Sequence, residues 1–221
     1  MKKIPFIIIF SVIIFSCKAQ TRNSTDNNKT NTMEKFDYKM YNDLIKDSQF
    51  LSYGYVILSN GDKLQIFKGS ENKGFIQKTG KKNTSYELYK VFYENGNLQF
   101  MSTHFYDFSI GISKEYNENG ELIKEIDYDK DYKFSIEDLQ KKMKATYNVD
   151  IMDKKQTRSV SRTTIDPRIK FPYYQVVINS GIASFTNYLL NGNTGEIIYI
   201  SKTIRDYEKD TVDEYIKSLK K

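Results

Sequence analysis

The sequence predicts an α+β fold. An antiparallel sheet of β-hairpins, over residues 34–130, precedes a small helix–β-meander–helix module, over residues 131–221. Three observations favour this class. Apolar and aromatic residues alternate with polar ones in short runs separated by turn sequences, as in β-hairpins. The main aromatic residues are Tyr (18) and Phe (14), which favour strands. Apolar residues at helical spacing recur near the start, the middle and the end of residues 34–221.

The first 16 residues have the order of a secretory signal peptide. Lys2 and Lys3 give a positive start, the run Ile4–Phe15 is mainly apolar, and the small residue Ser16 ends it. A membrane-spanning helix needs about 18 or more apolar residues, so this run is too short to be one. We therefore expect residues 1–16 to direct secretion and to be removed.

The only cysteine of the chain, Cys17, follows this segment directly. The run Ile14-Phe15-Ser16-Cys17 resembles a bacterial lipoprotein box, in the loose form found in Bacteroidetes-type bacteria. The resemblance implies cleavage before Cys17 and attachment of lipid to it, which would hold the protein at a membrane. The alternative is an ordinary secreted protein with an unpaired thiol. In either case the chain has no second cysteine with which to form an internal disulfide.

Residues 17–33 are predicted to be a flexible tether. Of the 15 residues from 18 to 32, ten are Asn, Gln, Ser or Thr, and such a segment buries too little apolar surface to order itself. It would reach on the order of 20–25 Å from the lipid. In lipoproteins of this kind an acidic run after the cysteine marks surface export. Lys18 and Arg22 stand there instead, which favours the periplasmic side of the outer membrane.

The hairpin region begins with a predicted helix over about 35–47, where Phe36, Met40 and Leu44 recur every four residues. Seven strand-like segments follow, and Asn-Gly turns separate several of them. Both central residues of the commonest Asn-Gly hairpin turn need positive φ. The segments are FLSYGYVIL, KLQIFKG, GFIQKTG, YELYKVFY, LQFMSTHFY, ISKEY and LIKEIDY.

Two of the turns repeat. The segments YENGNL (93–98) and NENGEL (117–122) align with a period of 24 residues, the difference between Gly96 and Gly120. This layout, over about residues 85–130, resembles the MORN-like repeats of YwqK-type proteins. The resemblance implies hairpins stacked into an elongated sheet. It also implies a role as an antitoxin component, the description that such proteins often carry.

The C-terminal module begins with a predicted helix over 135–147, which Ser135 and Asp138 would cap. After a basic segment (residues 154–170), expected to be a loop, the runs YYQVVI, ASFTNYLL and EIIYISKTI form a meander. A last helix should start at Thr211, with Tyr215 and Leu219 facing inward. This order, with NTGEII in the final turn, resembles PepSY-type domains, which implies an inhibitory or binding role.

Little in the sequence favours catalysis or a cofactor. His104 is the only histidine, and with Cys17 modified no second His or Cys could share a zinc ion with it. It lies on a predicted strand, where packing is its expected role, and no glycine-rich phosphate loop occurs. We therefore expect no enzyme activity, no catalytic residues and no cofactor. An undetected hydrolase is the distant alternative.

One acidic stretch has the spacing of a calcium loop. Tyr132, however, stands where an EF-hand loop needs glycine for its sharp turn, so we expect no metal. We expect instead a solvated hairpin edge followed by a capped helix, with calcium binding as the alternative. The residues at positions 1, 3, 5, 9 and 12 of the loop pattern are Asp127, Asp129, Asp131, Ser135 and Asp138.

The net charge is +6, and part of it is concentrated in the basic segment. Such runs are usually solvated faces, but this one could also contact an acidic protein or anionic headgroups. Nucleic acid is not an expected partner outside the cytoplasm. The sequence thus favours a non-enzymatic, lipid-anchored envelope protein that binds another macromolecule through its hairpin sheet and basic segment. The expected partner is a protein. The alternative is an immunity or antitoxin protein. The candidate contact residues are Lys154, Lys155, Arg158, Arg162, Arg168 and Lys170.

Overall fold

The computed structural model describes residues 33–70, 74–204 and 210–220. Within these ranges the chain forms a seven-stranded antiparallel sheet, a four-stranded antiparallel sheet and four helices. This confirms the predicted α+β class with its sheet of hairpins. The signal peptide, Cys17 and the tether up to residue 32 lie outside the described residues, so their roles stay predictions.

The first sheet is a meander in which every strand pairs with the next one along the chain, in the order β1 to β7. All six pairings are antiparallel. Each of the seven strand-like segments contributes a strand. The strands are β1 (Val56–Ile57), β2 (Lys63–Lys68), β3 (Phe75–Gly80), β4 (Tyr86–Phe92), β5 (Leu98–Phe105), β6 (Phe108–Tyr116) and β7 (Leu122–Asp127).

The region before this sheet differs from the prediction. Instead of one helix over 35–47, the chain forms α1 (Tyr38–Leu44) and α2 (Ser48–Tyr53), so the first half of FLSYGYVIL is helical and not extended. Asp37 and Asp47 each accept a hydrogen bond from a backbone N–H of the helix that follows, which supplies two helix starts where one was expected. Gly54, at φ 71°, ends α2.

The Asn-Gly turns also differ in detail from the expected type. Gly96 (φ 83°) and Gly120 (φ 86°) have positive φ, whereas neither preceding asparagine does. The N–H of Gly96 donates to the carbonyl of Tyr93 at 2.9 Å, which closes a turn with the glycine in its last position. Glycine alone therefore carries the unusual backbone conformation in these turns.

Hydrogen bonds join the two copies of the repeated turn. The Tyr93 hydroxyl donates to the carbonyl of Tyr116 at 2.8 Å, and Asn97 Nδ2 donates to the carbonyl of Glu118 at 2.7 Å. The 24-residue period is thus a real structural repeat, with successive hairpins in contact at their turns.

The second module contains one more strand than predicted. The new strand lies inside the basic segment, which the sequence predicts to be a loop. Its residues are mostly Arg, Ser and Thr, so it lacks the apolar alternation by which strands are recognised. The elements are α3 (Ile136–Tyr147), β8 (Thr157–Thr163), β9 (Tyr173–Gly181), β10 (Ser184–Asn191), β11 (Ile197–Ile204) and α4 (Thr211–Ser218), with the sheet in the order β11-β10-β9-β8.

The helices of this module begin close to the predicted positions. Ser135 and Asp138 form a reciprocal capping box at the start of α3, as expected. Thr211 is the first residue of α4, and Tyr215 packs against a core cluster. Leu219 lies beyond the end of α4 and is exposed, so the expectation that it faces inward is wrong.

Three apolar clusters hold the described residues together. One packs α1 and α2 against β2 and β4 around Phe36 and Phe92. Another surrounds Leu139 of α3 and includes Phe105 of the first sheet and Tyr174 of the second, so a single core contains residues from both sides of position 130. The third lies between α4 and the second sheet. Within the described residues, no helix is both long and apolar enough to cross a membrane.

Candidate binding surface

One face of the seven-stranded sheet carries aromatic side chains that lie outside the clusters in which the described helices pack. The registers place Phe67, Ile76, Val91 and Phe100 in one row across β2 to β5, and Lys78 beside Tyr89 in the next row. None of these residues belongs to the three clusters that contain the described helices. We call this surface the open face; its residues are Phe67, Ile76, Lys78, Glu87, Tyr89, Phe100 and His104.

Tyr89 is at the centre of the open face. Its ring stacks on that of His104, with centroids 5.5 Å apart and an angle of 13° between planes, and meets Phe100 edge-on at 6.3 Å. The ammonium group of Lys78 lies 5.6 Å from the Tyr89 centroid and 5.8 Å from that of Phe67. The open face is therefore a connected aromatic surface with a cation over it.

Burial favours the neutral forms of the His104 and Tyr89 rings near pH 7. Burial is the largest influence on His104 and lowers its pKa, an effect that Lys78 reinforces and that Glu87 and Asp107 oppose. Burial also raises the pKa of Tyr89, with a further contribution from the charge of Glu87. The imidazole and phenol rings thus stack as uncharged groups, between the fixed charges of Lys78 and Glu87, whose closest atoms are 3.9 Å apart.

A recess of about 300 Å³ opens beside Tyr89. Its walls include Val91, Phe100 and two polar residues, Gln99 and Glu115. Gln99 Oε1 has no hydrogen-bond partner within the described residues, nor has Oγ of the buried Ser102, which lies opposite Tyr89 in the ladder. Both oxygens are themselves buried, so the recess offers a bound molecule mainly the surfaces of Tyr89, Phe100 and Glu115.

The structure gives the six candidate basic residues different environments. The side chain of Arg162 is only 6% exposed. Its guanidinium contacts Asp129 Oδ1 at 2.6 Å, donates to the carbonyl of Ser109 at 2.6 Å, and lies 4.6 Å from the Tyr132 ring. Arg162 therefore joins β8 to the hairpin sheet and is largely withdrawn from the surface.

Arg168 is engaged by carboxylates. Its Nε and Nη2 donate to the two carboxylate oxygens of Asp166, at 2.9 and 2.8 Å, and Nη1 reaches Asp213 of α4. These hydrogen bonds hold the pKa of the Asp166 carboxyl well below its usual range. The cluster ties the segment before β9 to the start of α4.

The other four basic residues are exposed. Lys154 and Lys155 line a recess of about 500 Å³ together with Asp150 and Asp153, so opposite charges are mixed there. The guanidinium of Arg158 lies 4.5 Å from the ring centroid of Phe185. Lys170 is exposed beside the buried Ile169. The side chain of Arg168 is also 40% exposed, and the role of the six predicted contact residues in partner binding stays a prediction.

The acidic stretch of the calcium-loop pattern has structural partners. Asp129 accepts hydrogen bonds from Arg162 and from the N–H of Gly111, and Asp138 caps α3. Tyr132 is buried against Tyr174, with ring centroids 5.1 Å apart. Among the residues that the structure describes, no group of three or more His, Cys, Asp or Glu side chains is arranged to hold a metal ion.

Sequence reasoning identified the hairpin sheet but not the face of it that is available. The information lies in the alternation of YELYKVFY and LQFMSTHFY, where Tyr89 and Phe100 fall on the side opposite Phe92 and Phe105. Both sides of these strands carry aromatic residues, so alternation alone does not tell which side a helix covers.

Comparisons of the chain with models of protein families, with curated proteins and with solved structures found no match.

Proposed function

We propose that this chain is a non-enzymatic, lipid-anchored protein of the cell envelope that binds another protein through the open face and the exposed part of the basic segment. The observation that carries the proposal is the open face itself. Phe67 at its margin is 41% exposed, and the rings of Tyr89, Phe100 and His104 form a continuous surface beside it.

The composition of the open face favours protein binding. Tyr and Phe are enriched at protein interfaces because they bury a large area while losing few rotamers, and Tyr adds a polar group. Lys78 and Glu87 supply charges of both signs beside the rings, which can fix the orientation of a partner.

Support for binding rather than catalysis comes from the carboxylates. Asp129, Asp138 and Asp166 each accept hydrogen bonds from neighbouring groups of the fold. The pKa values of Asp138 and Asp166 are lowered by these contacts, whereas a general acid at neutral pH needs a raised one. These residues stabilise turns, a helix start and a junction between elements.

The proposal is tested by crosslinking in the envelope. A photoreactive amino acid replaces Phe67 on the open face in one variant. In the control it replaces Ile200 on the second sheet, which is 45% exposed and so offers a comparable target. We expect irradiation of cells to give a discrete crosslinked species from position 67 only, to be identified by mass spectrometry. A partner crosslinked from position 200 and not from 67 would overturn the assignment to the open face.

A further inference from the structure

Strand β7 forms an accessible edge of the hairpin sheet. It is the last strand in the order of the sheet and pairs on one side, with β6. Five of its six residues are exposed, and the apolar Leu122 and Ile123 are 50% and 57% exposed. At the opposite edge, β1 is only two residues long, and a short edge strand offers little backbone for pairing.

The backbone of β7 has hydrogen-bonding groups that point away from the sheet. The N–H of Tyr128 donates to the carbonyl of the opposed Gly111 at 2.9 Å. In an antiparallel ladder hydrogen-bonded and non-bonded pairs alternate, and the register between Ile112 and Glu115 is continuous. Ile126 and Lys124 therefore bond to β6, while Glu125 and Asp127 direct their N–H and C=O groups outward.

The charges on β7 oppose pairing with a second copy of the chain. A two-fold antiparallel pair brings one residue opposite its own copy. If that residue were Lys124, two ammonium groups would meet; if it were Glu125, two carboxylates would meet. If it were Ile126, each Glu125 would face an Asp127. Like charges directly opposite destabilise a strand pair, so each register centred on these three residues disfavours a second copy of the chain, and we take the occupant to be a different sequence.

The same charges specify the chemistry of a strand that fits. Glu125 and Asp127 lie on one face of β7, and the exposed acidic residues Glu118 and Glu121 precede them. Lys114 of β6 pairs with Glu125 at 3.5 Å, and both side chains are substantially exposed. On the other face, Lys124 lies opposite Glu115 in the row that contains Phe100, so an added strand would extend the open face.

We propose that the edge of β7 accepts an extended segment of a partner protein that carries Lys or Arg at every second position. Its backbone would pair with the outward groups of Glu125 and Asp127, and its basic side chains would meet the carboxylates of these two residues. This inference rests on the proposed function and adds to it the strand-like form and the basic charge of the segment that binds.

The test uses a peptide of alternating Lys and Val with the full chain, and hydrogen–deuterium exchange measured by mass spectrometry. We expect the peptide to slow exchange in residues 121–128, and a Glu-Val peptide of equal length to have no effect. Glu125→Pro removes one outward N–H, a change that edge strands tolerate because that N–H bonds to no neighbouring strand. Glu125→Thr removes the same charge but keeps the N–H.

We expect Glu125→Thr to weaken peptide binding by about threefold and Glu125→Pro by about tenfold or more. Exchange in β6 of the unliganded variants reports whether the β6–β7 ladder is intact. The inference is wrong if the peptide protects another edge, if it fails to bind, or if Pro and Thr variants with intact ladders bind it equally. A partner crosslinked at position 67 would leave the proposed function standing in each of these cases.

Discussion

Arg162 shows how a residue in a basic stretch can serve the fold. In the sequence it is one of six cations in the basic segment. In the structure it lies between the rings of Phe108 and Tyr132, at 5.0 and 4.6 Å from their centroids, with Asp129 as its ion-pair partner. Two cation–π contacts and one ion pair offset the cost of burying the guanidinium.

Arg162→Ala is expected to lower the free energy of unfolding by about 1–3 kcal/mol, because it removes the packing of a long buried side chain and its ion pair with the half-exposed Asp129. Denaturant melts measure this effect. Lys170→Ala, at an exposed position of the same segment, is the control and should change stability by less than about 0.5 kcal/mol. Equal effects of the two substitutions would contradict the structural role of Arg162.

His104 should make stability depend on pH. Burial lowers its pKa in the folded state below the ordinary value of 6.5, so the unfolded chain takes up a proton first as the pH falls. The stability that depends on a neutral His104 is fully present above pH 6.5. It is lost as the pH falls through the folded-state pKa of His104.

The corresponding variant is His104→Phe, which keeps an aromatic ring against Tyr89 and removes the titrating group. Between about pH 7.5 and about pH 5.5, we expect the wild-type protein to lose more stability than the variant in denaturant melts. Identical pH dependence in the two proteins would show that burial of the imidazole has no energetic effect.

At the scale of the element, the repeated turns depend on their glycines for two reasons. Gly96 has φ 83°, and a Cβ added there would lie 2.9 Å from Cε2 of Tyr38, at the start of α1. Gly54, which ends α2 at φ 71°, has no atom within 4 Å of such a Cβ. A side chain at Gly54 would meet backbone strain alone, whereas one at Gly96 would meet both backbone strain and a steric clash with Tyr38.

We predict that Gly54→Val costs about 1–2 kcal/mol, the strain of positive φ alone, and that Gly96→Val costs about 3 kcal/mol because Tyr38 must also move. Thermal or denaturant melts of the two variants measure the difference. If Gly96→Val proved no more destabilising than Gly54→Val, the contact between the turn and α1 would have no effect on stability.

Local sequence patterns predicted the turns and helix starts that depend on residues close together in the chain. The glycines at 96 and 120 mark hairpin turns, and Ser135 with Asp138 marks the start of α3. Strand β8 could not be predicted, because its residues are polar and only pairing with β9 makes it a strand. The split between α1 and α2 was missed because Phe50 and Leu51 fit a strand pattern as well as a helical one.

At the scale of the whole molecule, the candidate surfaces could be predicted only in part. The sequence predicts a sheet of hairpins, but which face is open depends on where α1, α2 and α3 pack. The sequence treats the acidic stretch and the basic segment separately, whereas Asp129 of the first and Arg162 of the second form an ion pair. Contacts between residues 33 apart in sequence leave no trace in local pattern.

Lipid attachment at Cys17 remains the prediction that places the protein in the cell. Cys17→Ser should move the protein from the membrane fraction to the unbound fraction and abolish labelling with a fatty-acid analogue, because no other residue fits the lipoprotein box. Unchanged fractionation and labelling would show that the membrane localisation inferred from the sequence is wrong.

The start of the described chain determines how an anchored molecule would carry a mechanical load. Residues 34–36 run antiparallel to the turn between β4 and β5, with the N–H of Phe36 on the carbonyl of Gly96 and the N–H of Leu98 on the carbonyl of Glu34. A load applied along the backbone of residues 34–36 would act parallel to this short ladder, so both bonds would resist together in shear rather than opening one at a time. Tension between a membrane and a bound partner would therefore pass through the hairpin sheet and would bypass α1 and α2.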